Sequence, residues 1–152
     1  MGRAIAIRAA VAAAALFALG PGAALAAGGS TKFEGETAQG REAKVVVDST
    51  GRAVRGSWTV LTDCDGRFED FRARITMRAP LDRSTPDSFR DVGSEGEGDG
   101  TYSARYKHEV EGRHRGRHRI KGSLSVKITF RRNGEKYVTC SVDDLAFKVT
   151  DH

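Results

Sequence analysis

Residues 105–121 have the highest concentration of basic side chains in this sequence, and such side chains are suited to binding anions. They hold seven Arg or Lys against two Glu, a net charge of +5, and three of the four histidines. Five cations occupy alternate positions: Arg113, Arg115, Arg117, Arg119 and Lys121. Alternate side chains of an extended strand share one face. The pattern therefore predicts a row of cations that binds an anionic polymer such as teichoic acid, lipopolysaccharide phosphate, acidic polysaccharide or nucleic acid. The alternative is a solvated hairpin tip whose charges keep an exposed edge from pairing with other chains.

Two other groups have the composition of metal sites. His108, His114 and His118 would suit zinc or copper, but residues four apart on a strand are separated by about 13 Å. Residues 91–100 alternate acids with glycines, loosely like a calcium loop. Counted from Glu95, position twelve is Tyr106 instead of the bidentate Glu that such a loop needs. We therefore expect no metal. We expect residues 91–100 to be a solvated loop, whose charge would mask the basic segment if the two paired.

Catalytic motifs are absent from the sequence. It contains neither G-x-S-x-G nor H-E-x-x-H. Carboxylates flank or follow the two cysteines, namely Asp63, Asp65, Asp143 and Asp144. Paired carboxylates can act as acid and base when burial raises one pKa, but these coincide with turn signals, where Asp is common. We expect no enzyme activity and no cofactor.

The first 26 residues have the layout of a secretory signal peptide. Arg3 and Arg8 precede an apolar run over residues 9–19, and Ala24-Leu25-Ala26 supplies the small residues of a cleavage site. The apolar run is too short to span a bilayer, which takes about 20 residues. We therefore expect a signal peptide at residues 1–26 and a single secreted β domain at 27–152, without a transmembrane span. The expected location is secreted, periplasmic or on the exterior of the cell envelope.

The two cysteines, Cys64 and Cys140, both lie in the expected mature domain. An even pair in an oxidising compartment most often forms a disulfide, so we predict one here. Two buried free thiols are the alternative.

The elements that must position these groups are strands, because period-2 alternation dominates and no helical stripe occurs. Apolar residues alternate in eight runs: a first at Phe33, then Ala43 to Val47, Val54 to Cys64 (with Trp58 and Val60), Phe71 to Met77, Tyr102 to Val110, Ile120 to Phe130, Val138 to Val142, and Leu145 to Val149. Residues 80–100 have no such pattern and are expected to be a long loop, with Phe89 and Val92 contacting the core.

Turn-forming residues between the runs predict hairpins. Asn133-Gly134 is the preferred type I′ turn, Gly122 is expected at a bend or bulge, and Asp143-Asp144 is expected to kink the chain. The predicted fold class is therefore all-β: an antiparallel β-sandwich or small β-barrel of seven to eight strands with one disulfide.

Short motifs add a family resemblance. Gly35-Glu-Thr37-Ala-Gln39-Gly40 opens the domain, Trp58 precedes Cys64-Asp65-Gly66 by six residues, and Gly122-Ser-Leu124 and Cys140 follow near the C-terminus. This order resembles a recurrent small exported all-β domain of high-GC bacteria. The resemblance implies the fold and export, and it carries no activity.

Two functions fit these observations. The first is a non-enzymatic exported domain with a binding or structural role at the bacterial envelope, contacting an anionic envelope polymer through the basic hairpin. The second is a lipocalin-like carrier of a small apolar ligand. Its pocket would be lined by Trp58, Phe71, Tyr106 and Phe130, since barrels of about eight strands can hold one small ligand.

Overall fold

A computed structural model describes residues 29–65, 71–78 and 83–151. The predicted signal peptide at residues 1–26 lies outside the described residues. Every regular element in the described part is a β-strand: β1 (Thr31–Thr37), β2 (Glu42–Val47), β3 (Ala53–Cys64), β4 (Phe71–Arg78), β5 (Arg83–Ser84), β6 (Ser88–Gly98), β7 (Tyr102–His114), β8 (Arg119–Arg132) and β9 (Glu135–Thr150). Within these ranges, no helix has the length and apolar character needed to cross a bilayer.

All nine strands belong to one antiparallel sheet in the order β4-β3-β2-β1-β9-β8-β7-β6-β5. The sheet curls so that its inner faces meet. Phe71 of β4 contacts Phe130 of β8 with ring centroids 5.3 Å apart, although these strands are not neighbours. Phe33 of β1 likewise meets His114 of β7 at 5.9 Å. The result is sandwich-like, with β4 and β5 as the two ends of the sheet.

The core fills the space between these facing halves. Alternate residues of eight strands point inward, and the largest fully buried ones are Trp58, Ile120, Leu124 and Ile128. The Trp58 ring packs edge-on against Phe147 of β9 at 5.4 Å. Each large apolar side chain taken out of water stabilises the fold by roughly 1.5–3 kcal/mol, so the inner face holds the sheet in its curled shape.

The tip of the β1–β2 hairpin is inserted between β9 and β3. Ala38 N donates to Ala146 O of β9 at 2.8 Å. On the other side the Gln39 side chain replaces a strand, because its amide donates to Leu61 O at 2.8 Å and accepts from Leu61 N at 2.9 Å. Beyond this tip β3 and β9 pair directly, with Cys64 opposite Cys140.

The predicted disulfide is confirmed. Cys64 and Cys140 are bonded, with their Cα atoms 3.9 Å apart. The bond therefore ties the end of β3 to β9 at the point where these strands first become neighbours.

The predicted count of seven to eight strands is wrong, because the sheet has nine. The expected loop over residues 80–100 instead contains β5 and β6. β6 pairs with β7 over its whole length, from Ser88↔Arg113 to Gly98↔Ser103. Its glycines and acids have low intrinsic strand preference, but pairing with a neighbour outweighs that preference.

The expected last two strands form the single strand β9. At Asp143-Asp144 the register with β8 shifts, from Val126↔Val142 to Leu124↔Leu145. Asp144 takes a positive φ of 49°. This bulge is the predicted kink, and it switches the inward residues of β9 from even to odd positions without ending the strand.

Two local expectations also need correction. A bulge between Val46 and Val47 makes Ala53 buried, and it leaves Val54 only partly buried. Gly122 is paired in register with Gly112 and forms no bulge. A Cβ at Gly122 would lie 2.0 Å from Glu111 O and 2.6 Å from the Phe147 ring. This glycine is required by close packing. The predicted turn at Asn133-Gly134 is confirmed, with φ of 51° and 83°.

We predict that replacing both cysteines, Cys64→Ser with Cys140→Ser, lowers the free energy of unfolding by about 2–4 kcal/mol. The disulfide closes a long loop, with 76 residues separating its cysteines, so its removal frees the unfolded chain. Urea denaturation of the variant and the oxidised parent measures the difference. Reduced parent protein should match the variant, and equal midpoints for variant and oxidised parent would contradict the prediction.

Candidate functional site

The basic residues lie on the outer face of the hairpin formed by β7 and β8. His114 faces inward against Phe33, and Ile120 is fully buried. The alternating arginines between and beside them are therefore directed outward and are exposed. Gly116, with a φ of 77°, makes the turn that Arg115 N closes by donating to Arg119 O at 2.8 Å.

Three cations stand directly opposite one another across neighbouring strands. Arg113 of β7 is paired with Lys121 of β8, and Lys121 with Lys148 of β9. We call Arg113, Lys121 and Lys148 the basic row. Adjacent strands are about 4.8 Å apart, and like charges directly opposite one another destabilise a sheet. The row therefore concentrates positive charge at a cost to stability.

No carboxylate of the described residues forms an ion pair with the basic row. Glu36 of β1 continues the row beside Lys148, but no ion pair joins them within the described part. The row therefore has a carboxylate beside it only at its Lys148 end, and within the described ranges no ion pair neutralises its charge.

A groove of about 570 Å³ runs along this part of the outer face. Two residues of the basic row, Arg113 and Lys121, line it together with Arg83 and Arg115, and Glu111 is its one acidic lining residue. The predicted residues Arg117 and Arg119 are exposed but do not line the groove. Arg117 lies in the turn, and Arg119 is paired with Thr150. With Arg90 of β6 also in its lining, the groove can hold a sulfate, phosphate or carboxylate between cations from four strands.

The acidic run of β6 does not mask the basic row. Asp91 is buried on the inner face, where its Oδ2 lies 3.0 Å from His108 Nε2. Glu97 accepts a hydrogen bond from the Tyr106 hydroxyl at 2.7 Å. Glu95 and Glu97 line a cleft of about 260 Å³ between β4 and the β6–β7 pair, together with Tyr106 and His108. The carboxylates that face this cleft are on the opposite side of the sheet from the cations.

The three histidines do not converge. His108 contacts Asp91, His114 packs on Phe33, and His118 at the hairpin turn lies 3.0 Å from Asp151. In the described ranges, no group of three potential metal-ligating side chains occurs. Of the carboxylates near the disulfide, Asp65 bonds to the backbone, its Oδ1 accepting from Thr139 N at 2.6 Å.

The four residues proposed to line an apolar pocket do not line one pocket together. Trp58 is fully buried in the core, and Tyr106 lines the polar cleft. Phe71 and Phe130 do come together, and both line an apolar groove of about 590 Å³ beside the disulfide. Two aromatic residues that the sequence pattern did not indicate, Tyr102 and Tyr137, complete this groove and are about half exposed. Tyr137 closely follows the Asn133-Gly134 turn, but Tyr102 reaches this groove only through the pairing of β7 with β8, which no local sequence signal indicates.

No protein-family model, curated protein or solved structure matches the chain. The function is therefore argued from the geometry of these surfaces.

We predict that the Tyr106 hydroxyl ionises at a pH well above the range expected of a free tyrosine. Burial, and then the hydrogen bond to Glu97, raise the pKa of Tyr106 from 10.0 to about 12. The fold thus favours the neutral phenol, so this contribution to stability is complete below pH 10 and is lost as the pH rises towards 12. Comparing the tyrosinate absorbance of the parent and Tyr106→Phe isolates this titration. Glu97→Gln should lower the pKa of Tyr106 but keep it above 10, because burial is the larger cause. A titration of Tyr106 at its ordinary value in the parent would contradict the assignment.

Proposed function

We propose that the chain is an exported, non-enzymatic β domain that binds anionic polymers at a bacterial envelope through the basic outer face of β7, β8 and β9. The observation that carries this proposal is the basic row, in which Arg113, Lys121 and Lys148 are directly opposed without an ion-paired carboxylate in the described part of the chain. An anion between these cations would relieve their mutual repulsion and gain several charge-assisted hydrogen bonds.

The location of the cations on paired strands supports a binding role over the alternative, in which they only keep the hairpin tip solvated. A charged hairpin tip needs its cations only near the turn. Here the row extends across three hydrogen-bonded strands to Lys148, which lies far along the chain from the hairpin. The paired strands fix the spacing of the backbone positions that carry these three side chains before any ligand arrives, and this reduces the ordering cost of binding.

Export is supported by the signal-peptide pattern of residues 1–26 and by the disulfide, which is typical of oxidising compartments. Teichoic acids, lipopolysaccharide phosphates and acidic polysaccharides share the negative charge that the row would recognise.

We predict that neutralising the row, as Arg113→Gln with Lys121→Gln and Lys148→Gln, weakens binding to immobilised heparin by roughly tenfold to hundredfold. A cation near an anionic surface contributes about 1 kcal/mol, and each 1.4 kcal/mol is about a tenfold change in affinity. The measurements are the salt concentration at elution and the affinity at low salt, because polyanion binding weakens steeply as salt rises.

The matched control removes the same charge elsewhere, with Lys32→Gln, Arg52→Gln and Arg55→Gln, three exposed residues of the β1–β3 region. The control should elute close to the parent. Equal elution of the row variant and the control would show that net charge alone governs retention, and the proposed site would be wrong.

A second candidate function, a carrier of a small apolar ligand, is favoured by one observation. The groove beside the disulfide exposes Phe71, Tyr102 and Tyr137 together. Aromatic side chains lining a concave surface are typical of small-molecule sites.

For this carrier function we predict that a neutral apolar dye such as Nile red binds the groove and that Tyr102→Ala with Tyr137→Ala weakens the binding at least tenfold. Titration of dye fluorescence is the measurement, and added salt should not weaken the binding, unlike binding to the basic row. Val92→Ser, which changes an exposed apolar residue outside this groove, is the control. Undiminished dye binding by the tyrosine variant would exclude the groove.

A further inference from the structure

The outer face carries a second group of cations at the other end of the same strands. Lys107 of β7 is directly opposite Lys127 of β8. Arg105 and Arg131 flank this pair, and both line a groove of about 600 Å³ with Lys107, in which Glu97 is the acidic lining residue. We call Arg105, Lys107, Lys127 and Arg131 the distal patch. It repeats the arrangement of the basic row, a pair of opposed cations beside a groove.

An acidic band separates the distal patch from the basic row. Between Lys107 and Arg113, the outward positions of β7 are Glu109 and Glu111. Arg90 Nε donates to Glu109 at 3.0 Å and partly neutralises it. Glu111 has no ion-pair partner among the described residues. The corresponding positions of β8 are Ser123 and Ser125, which carry no charge.

The acidic band continues onto β9. Asp143 is exposed at the bulge and borders the same shallow depression as Glu109 and Ser125, which also reaches Lys107 and Lys127 of the distal patch. The bulge thus brings an additional carboxylate to the middle of the face. An anion placed at the band meets Glu109, Glu111 and Asp143, whereas an anion at either end meets opposed cations.

The distance between the two cationic groups sets the size of a ligand that can contact both. Six residues of antiparallel strand, from Lys107 to Arg113, span about 20 Å at 3.4 Å per residue. Inorganic phosphate and other compact anions cannot contact both groups at once. A linear chain can do so, provided that it is flexible enough to place its charges away from the band.

We infer that the outer face is a two-ended site for a flexible linear polyanion, which binds the basic row and the distal patch together and crosses the acidic band between them. This inference rests on the proposed function and specifies its ligand: a chain with anionic groups at least about 20 Å apart, and not a compact anion. Contact at the second end is then intramolecular, and linkage of this kind raises the overall affinity without any new type of contact.

The experiment titrates the protein with two length series, heparin-derived oligosaccharides and linear polyphosphates, at fixed low salt. Using both series distinguishes a sulfated-sugar source from a phosphate source. The affinity of the protein for each oligomer is corrected for the number of equivalent binding positions on that oligomer. This corrected affinity should rise at least tenfold once the oligomer is longer than about 20 Å. Tripolyphosphate serves as the compact probe that reaches one end only.

Two variants test the two ends separately. Lys107→Gln with Lys127→Gln should abolish the gain with length. It should remove the tripolyphosphate site at the distal patch and leave the affinity of tripolyphosphate for the basic row unchanged. The control Arg52→Gln with Arg55→Gln removes two charges elsewhere and should preserve the gain. Glu111→Gln should strengthen binding of long chains by at least twofold, because it removes a carboxylate from the band. It should also strengthen tripolyphosphate binding at the basic row, since Glu111 lines the groove there.

Two outcomes would overturn the inference. If long and short chains bind equally, or if the distal variant weakens every length by the same factor, the two ends do not act together. The proposed function would survive this result if neutralising the basic row still reduced binding relative to its control. If no length of either polymer binds the parent, both the inference and the proposed function are wrong.

Discussion

The curled sheet depends on the insertion of the β1–β2 turn between β3 and β9. Ala38 bonds to the backbone of β9, and Gln39 bonds to both backbone groups of Leu61. The inserted turn satisfies polar groups that the two diverging strands would otherwise leave unpaired, and an unpaired backbone group is costly when it is buried. Beyond the turn the strands meet, and the Cys64–Cys140 bond fixes them there. This junction holds the two halves of the sheet face to face.

The junction also determines what the outer face presents. Because side chains alternate, a slip of one residue in β8 would move Lys121 inward and Ile120 outward. Buried Ile120 and Leu124 prevent that slip, as does the close approach of Gly122 to Glu111 and Phe147. The register of the core therefore places the cations of β7, β8 and β9 opposite one another. The charge pattern outside follows from the packing inside.

The two faces of the sheet thus have separate chemistry. Inside, Asp91 and His108 form a buried pair and Tyr106 bonds to Glu97. These contacts keep the acids of β6 away from the basic row, although β6 lies next to the strand that carries Arg113. A mixed sequence of nearly balanced acids and bases can in this way give a locally positive surface. Such separation raises the local concentration of an anionic ligand more than the small net charge would suggest.

The sequence by itself determined most of the strands and the disulfide, because a period of two residues and a pair of cysteines are local signals. It did not determine that residues 88–98 form β6, since that strand exists only through pairing with β7. Lys148 could not be assigned to the basic row either. Its place depends on the Asp143-Asp144 bulge, which switches the outward face of β9. Such placements depend on register between strands distant in sequence, and only the tertiary structure decides that register.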